Sequence, residues 1–246
     1  MLKMGQEKVV CFIDIMGTKN RLQQSDSQTT CNIEISPLIM KHYEDMVNDD
    51  LIVSVFADCM YIVADKENIG EMFSFLASLS YTLLINEKQD TEDSIKTIKN
   101  KADCLKIRGG ITYGKIDILE KDDERYNNKS MELLSGTGMV QAYILESESA
   151  VYPRIILDEN ILKILGNMEK AKKDYCLVEN AGFYYFDFLD YLLHKNEKII
   201  KDEMTDILEF VKNELLYALN NGEDKLAGKL LWYQRYLESF LGKLNK

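Results

Sequence analysis

The sequence predicts an α+β fold: an antiparallel sheet covered mainly on one face by helices, followed by a C-terminal helical hairpin. Three observations predict it. Short apolar runs rich in β-branched and aromatic residues recur between residues 9 and 188. Two of these runs, 51–56 and 60–64, are separated by a tight turn and so form a hairpin. After residue 198 the apolar residues change to a helical period.

Val9–Ile15 reads as a buried strand ended by Gly17. A mixed segment to about Asp50, interrupted by Pro37, reads as two helices or one broken helix. Leu51–Phe56 and Met60–Ala64 are the hairpin strands, joined through Ala57-Asp58-Cys59. Asn68–Asn86 has helical spacing, and the polar stretch 87–102 reads as a solvated loop or a fraying helix end. Ile107–Ile118 returns to strand, and 122–129 is a charged loop. Gly138–Ser147 is a helix, Arg154–Leu157 a strand, and 175–188 a hairpin turning at Asn180-Ala181-Gly182. Ile199 to Leu219 and Leu226 to Leu244 are two helices separated by Asn220-Asn221-Gly222. The expected organisation is one domain over 1–190 and a helical extension over 191–246, packed on that domain or on a partner subunit.

The 246 residues carry a net charge of −11, with 46% apolar and 29% charged residues. That composition supports a large core. The acidity argues against nucleic-acid or anionic-membrane partners, and any anionic ligand needs a local device such as metal ions or placed cations. The five cysteines have no C-x-x-C spacing and read as reduced thiols. No signal peptide or spanning segment is evident, so the expected location is the cytoplasm. His42 and His194 lie in polar surroundings and suggest no catalytic pair.

Asp14 ends a buried apolar strand, where a lone carboxylate is costly. Asp58 sits in the turn of an equally apolar hairpin. Taken singly, each reads as a turn or cap carboxylate. Brought together by adjacent strands, they form a site for hard cations. The stretch Ile15-Met16-Gly17-Thr18-Lys19 turns from strand toward helix, a geometry whose backbone N–H groups suit phosphates. It lacks the P-loop spacing.

Phe12-Ile13-Asp14-Ile15-Met16-Gly17 resembles the first metal motif of the class III adenylyl and guanylyl cyclases, and Phe56-Ala57-Asp58-Cys59-Met60-Tyr61 resembles their second. Arg108-Gly109-Gly110-Ile111-Thr112-Tyr113-Gly114 is similar to the family's Arg-x-Gly-Ile strand, and Gly138–Glu146 to its helix ending in Leu-Glu. The four motifs occur in order over roughly residues 8–160. The resemblance implies a ferredoxin-type antiparallel sheet and a homodimer with sites at the interface. It further implies a nucleoside triphosphate substrate and two Mg²⁺ or Mn²⁺ ions per site. Asp14, Asp58 and the Ile15 carbonyl would hold the ions, while Met16, Gly17, Thr18, Lys19 and Arg108 would bind phosphates.

The departures from the family are specific. Ser54 and Leu133 stand at the base-reading positions, where neither the adenine pair nor the guanine pair is present. Val140 and Ile144 replace the helix Asn and Arg, and Gln141 is the candidate replacement for the Asn. Lys19, Lys115 and Arg154 are candidates for the missing positive charge. Together with Tyr152-Pro153-Arg154-Ile155-Ile156, Tyr185-Phe186-Asp187-Phe188-Leu189 and Leu231-Trp232-Tyr233, these features resemble the stand-alone pyrimidine cyclases of the Pycsar anti-phage systems. That implies cyclic UMP or cyclic CMP, read by a separate effector. The alternatives are a purine nucleotide cyclase and a cyclase-like sensor without catalysis. A diguanylate cyclase is disfavoured by the absence of its Gly-Gly-Asp/Glu-Glu-Phe segment.

Overall fold

The computed structural model describes residues 2–16, 50–56, 58–85, 106–121, 131–180, 182–196 and 199–245. The segments expected as helices before residue 50, as a loop over 87–102 and as a charged loop over 122–129 lie outside these residues.

Among the described residues, eight strands form one sheet. They are β1 (Leu2–Met16), β2 (Leu51–Phe56), β3 (Cys59–Ala64), β4 (Lys106–Lys121), β5 (Met131–Ser135), β6 (Ile155–Leu157), β7 (Leu177–Asn180) and β8 (Phe183–Phe186). Their order is β2-β3-β1-β4-β6-β8-β7, with β5 paired to the far end of β4. All pairs are antiparallel except β4 with β6, which the segment between residues 121 and 155 joins as a crossover. Seven α-helices among the described residues accompany the sheet: α1 (Ile69–Ile85), α2 (Thr137–Ile144), α3 (Glu159–Leu165), α4 (Met168–Asp174), α5 (Phe188–His194), α6 (Lys201–Asn220) and α7 (Asp224–Leu244). A π-type turn, Leu145–Ser149, continues α2.

β1 runs further toward the N-terminus than Val9, through a bulge between Lys3 and Gln6 where Gly5 takes φ +62°. The polarity of that stretch concealed it, because the strand emerges there from the core. Residues 159–174 form two short helices not evident in the apolar pattern. Each is started by a side chain: Asp158 accepts from the N–H groups of Asn160 and Ile161, and Asn167 from that of Lys170. The expected hairpin at 175–188 ends at Phe186, because Asp187 accepts from Asp190 N–H and caps α5.

Alternation along β1 divides the core. Val9, Cys11, Ile13 and Ile15 pack on one face with α1, where Phe73 meets Tyr175 and Phe186 at centroid distances of 4.7 and 4.8 Å. Val10 and Phe12 pack on the other face with Ala142 of α2. Helix α2 crosses β4 on glycines. A Cβ at Gly110 would lie 2.7 Å from Ala142 O, and one at Gly114 would lie 2.8 Å from Gly138 Cα. This close approach fixes α2, and the π-type turn after it, against β4. Helices α6 and α7 bury Met204, Val211, Leu215, Leu230, Leu237 and Phe240 between them and pack on Leu84 and Leu189. No helix among the described residues is long and apolar enough to cross a membrane.

Candidate metal and phosphate site

The site forms where β1, β3 and β4 end together. One row of the sheet reads Phe56, Cys59, Asp14, Arg108 across β2, β3, β1 and β4. The two-residue β2–β3 turn places Asp58 beside that row, and Ile15 N–H donates to the Asp58 carbonyl at 3.0 Å. One ligand atom from each of Asp14, Asp58 and Cys59 lies within 4.8 Å of the others. The fold thus brings Asp14 and Asp58 together, 44 positions apart in sequence.

Asp14 is half-buried, and burial pushes its carboxyl up while Arg108 pulls it back. Arg108 Nε donates to Asp14 Oδ2 at 3.0 Å and lies 2.5 Å from Glu146 Oε1, off the N–H direction. Glu146 is 2% exposed, and burial raises its carboxyl to about 6. Cys59 Sγ lies 3.6 Å from carboxylate oxygens of both Asp14 and Asp58, and its thiol is pushed up to about 12 by burial and by those two charges. The hard ligand atoms offered to a cation are the carboxylate oxygens of Asp14 and Asp58. Two clustered carboxylates, with Asp14 paired to Arg108 among the described residues, suit a hard divalent ion, so the residues present fit Mg²⁺ or Mn²⁺.

The remaining expected residues distribute as follows. Met16 ends β1 and is half-buried, while Gly17, Thr18 and Lys19 lie outside the described residues. Ser54 lies opposite Tyr61, and its row continues through Phe12 to Gly110, on the sheet face that carries Asp14. Leu133 pairs with Leu119, nine positions along β4 from that row, so the two base-reading candidates do not meet through the sheet of one chain. Gln141 is exposed and its Oε1 lies over Gly114. Val140 and Ile144, at the family's Asn and Arg positions, are 56% and 43% exposed.

Of the two other candidate cations among the described residues, Lys115 lies far along β4, and Arg154 lies beside β4 at Gly109, whose N–H donates to its carbonyl at 3.1 Å. Lys115 pairs with Glu7, seven positions along β4 from Arg108. Arg154 is 6% exposed and surrounded by the rings of Tyr152, Tyr185 and Trp232 at 5.3–5.8 Å. The rings enclose the guanidinium, whose Nη1 donates to Asn180 Oδ1 at 3.3 Å. Sequence reasoning assigned no role to Glu146 or Cys59. The Leu145-Glu146 pair was visible as a motif, but nothing in it signalled an ion pair with Arg108.

No protein-family model matches the chain, and no curated protein sequence matches it. Among solved structures, the chain is similar to the dimeric guanylyl cyclase domain of the RhoGC fusion protein from the aquatic fungus Blastocladiella emersonii. The TM-score is 0.51 at 15% identity, over 76% of this chain and 96% of that one. A bacterial light-regulated adenylyl cyclase gives a TM-score of 0.51 at 13% identity, over 76% and 92%. The chain therefore has the fold of class III nucleotide cyclase domains.

Proposed function

We propose that this protein is a divalent-metal-dependent nucleotide cyclase that converts a nucleoside triphosphate into a 3′,5′-cyclic mononucleotide and pyrophosphate. The observation that carries the reading is the convergence of Asp14, Asp58 and Arg108 at one sheet end of a cyclase fold. Asp14, Asp58 and the Ile15 carbonyl would hold two Mg²⁺ or Mn²⁺ ions. Bound there, the ions supply Lewis acidity toward the ribose 3′-hydroxyl and the α-phosphate. The 3′-oxygen attacks the α-phosphorus, its proton passes to solvent, and the bond to the β-phosphate oxygen breaks. Arg108, Met16, Gly17, Thr18 and Lys19 bind the phosphates, and Glu146 keeps the Arg108 guanidinium oriented.

The finer reading is a pyrimidine substrate, UTP or CTP. It is supported by Ser54 and Leu133 at the base-reading positions, which offer neither purine pair. The cyclic product would signal to a separate effector in anti-phage defence. The working unit is a homodimer, supported by the exposed apolar stripe Val140, Tyr143 and Ile144 on α2. Within the chain, 1–190 acts as the catalytic domain and 191–246 as its extension.

One observation favours a second reading, a cyclase-like nucleotide sensor: apolar residues stand where the helix Asn and Arg act on the transition state. Incubation with each of the four nucleoside triphosphates and Mn²⁺, with products identified by mass, separates the readings. A cyclic pyrimidine nucleotide is expected. Cyclic AMP or cyclic GMP as the main product overturns the pyrimidine assignment, and no product from any of the four overturns the enzyme.

A further inference from the structure

Helix α7 leads back from α5 toward the metal site when followed from its C-terminal end. Near its C-terminal end, Lys243 pairs with Asp190 beside α5. Two turns earlier, Tyr236 donates to Asp187 Oδ1 at 2.7 Å, immediately after β8. One turn before that, Trp232 stacks on Tyr152 at 5.6 Å and meets Tyr185 edge-on at 5.8 Å. Trp232 belongs to the cluster that also contains Leu145, the neighbour of Glu146.

The next residue on this path is Lys229. It lies seven residues before Tyr236, so the helix advances about 10 Å between them. Two strand spacings, from β8 across β6 to β4, also measure about 10 Å. Trp232 packs with Tyr185 of β8 and Ile156 of β6, so the preceding helical turn, which carries Lys229, lies toward β4, the strand of Arg108. The ammonium is half-buried there and feels the attraction of Asp14 and Glu146 and the repulsion of Arg108 and Lys225. Among the described residues it makes no ion pair with either carboxylate, both of which face Arg108.

We propose that Lys229 is a phosphate-binding residue, supplied by the C-terminal hairpin, that adds a second cation to the site formed by Asp14, Asp58 and Arg108. The inference rests on the nucleotide-cyclase reading and deepens it. Helix α2 offers Val140 and Ile144 where its relatives offer polar and cationic side chains, and Arg108 already faces two carboxylates. A triphosphate drawn to Asp14 and Asp58 through metal ions needs further positive charge. Lys229 provides it from a segment that lies outside the cyclase motifs. The same placement gives the hairpin a task beyond packing, because the Trp232–Tyr152–Tyr185 contact sets how far Lys229 reaches.

The test uses the full-length chain with two readouts. The first is calorimetric titration with inorganic tripolyphosphate in Mn²⁺, which presents phosphates without a base. The second is turnover of the best nucleotide. Lys229→Met should weaken tripolyphosphate binding about tenfold, the loss expected for one charged hydrogen bond. It should lower turnover by at least as much, while Lys229→Arg keeps both within about threefold of wild type, because the charge is retained. Tripolyphosphate binding and turnover by Lys229→Met equal to wild type overturn the inference, as does equal loss in both variants, which indicates a packing role. If wild type binds tripolyphosphate but forms no cyclic product, the cyclase reading fails while calorimetry still decides the role of Lys229. If wild type binds no tripolyphosphate, the role of Lys229 fails, and product analysis alone decides the activity.

Discussion

Asp14 and Arg108 are direct cross-strand partners on β1 and β4, and the Arg108 Nε donates to Asp14 Oδ2 at 3.0 Å. The arginine thereby serves as counter-ion to a carboxylate that burial disfavours. A divalent cation competes for the same carboxylate and binds only the folded arrangement of Asp14 with Asp58. Saturating Mn²⁺ should therefore raise the melting temperature, by the equivalent of about 2.7 kcal/mol at one hundred times Kd. Asp58→Asn keeps the shape of the turn and removes one charge. It should abolish the Mn²⁺-induced shift and lower turnover at least about 100-fold, with an unchanged circular dichroism spectrum. An Asp58→Asn variant that still gains full stability from Mn²⁺ contradicts the metal assignment.

Glu146 supplies a pH test that needs no substrate. Its folded-state carboxyl titrates near 6, above the ordinary value of 4.5, because it is buried. A raised carboxyl favours the folded state while protonated. Its contribution is thus present below about 4.5 and is lost as pH rises through about 6. The loss amounts to about 2 kcal/mol. Denaturant titrations of wild type and Glu146→Gln across pH 4 to 7.5 should show this difference. Between pH 4.5 and 6.5 the variant should lose about 1.5 kcal/mol less than wild type. Parallel curves would place the Glu146 titration elsewhere.

The stripe on α2 predicts assembly. Val140, Tyr143 and Ile144 stand at i, i+3 and i+4 and are exposed, and Tyr143 meets Phe12 edge-on at 5.4 Å. A second copy covering this stripe brings the helix of one subunit to the Asp14 site of the other. Ile144→Glu places a charge in that contact but changes little within one chain, about 0.5 kcal/mol or less. Light scattering should report a dimer for wild type and a monomer for the variant. Turnover should fall about 100-fold at the same concentration. A wild type that is monomeric and fully active removes the need for a partner.

The elements legible in the sequence were those with a clear period or turn chemistry: the β2–β3 hairpin, α1, the middle of β4, and the hairpin of α6 and α7. The seven-residue helices α3, α4 and α5 were not legible, because two turns present too few apolar positions for a helical period. Their Asp158, Asn167 and Asp187 caps were the available signal. At the site, Asp14 and Asp58 could be singled out because burial of a carboxylate is costly wherever it occurs. The contacts of Glu146 and the position of Lys229 depend on how α2 crosses Gly110 and how Trp232 seats α7. Both are tertiary relationships with no local signature.

Ser54 gives the most discriminating substitution for substrate choice. It stands on the same sheet face as Asp14, one strand beyond Tyr61, with Phe56 and Tyr61 forming a ring pair at 5.7 Å nearby. Its hydroxyl both donates and accepts, where a lysine would only donate. A pyrimidine edge read by such a group leaves buried polar atoms unmatched when a purine is bound, and a site of that kind can discriminate by about 10⁴-fold. Turnover should therefore be ranked with UTP or CTP well above ATP and GTP. Ser54→Ala removes the polar reader without altering the metal row. It should narrow the gap between pyrimidine and purine substrates about tenfold, and lower turnover of the preferred nucleotide by less than that. Specificity constants for all four triphosphates, measured in parallel on both proteins, give the comparison. ATP as the preferred substrate, or an unchanged ranking and gap in Ser54→Ala, removes Ser54 from base recognition.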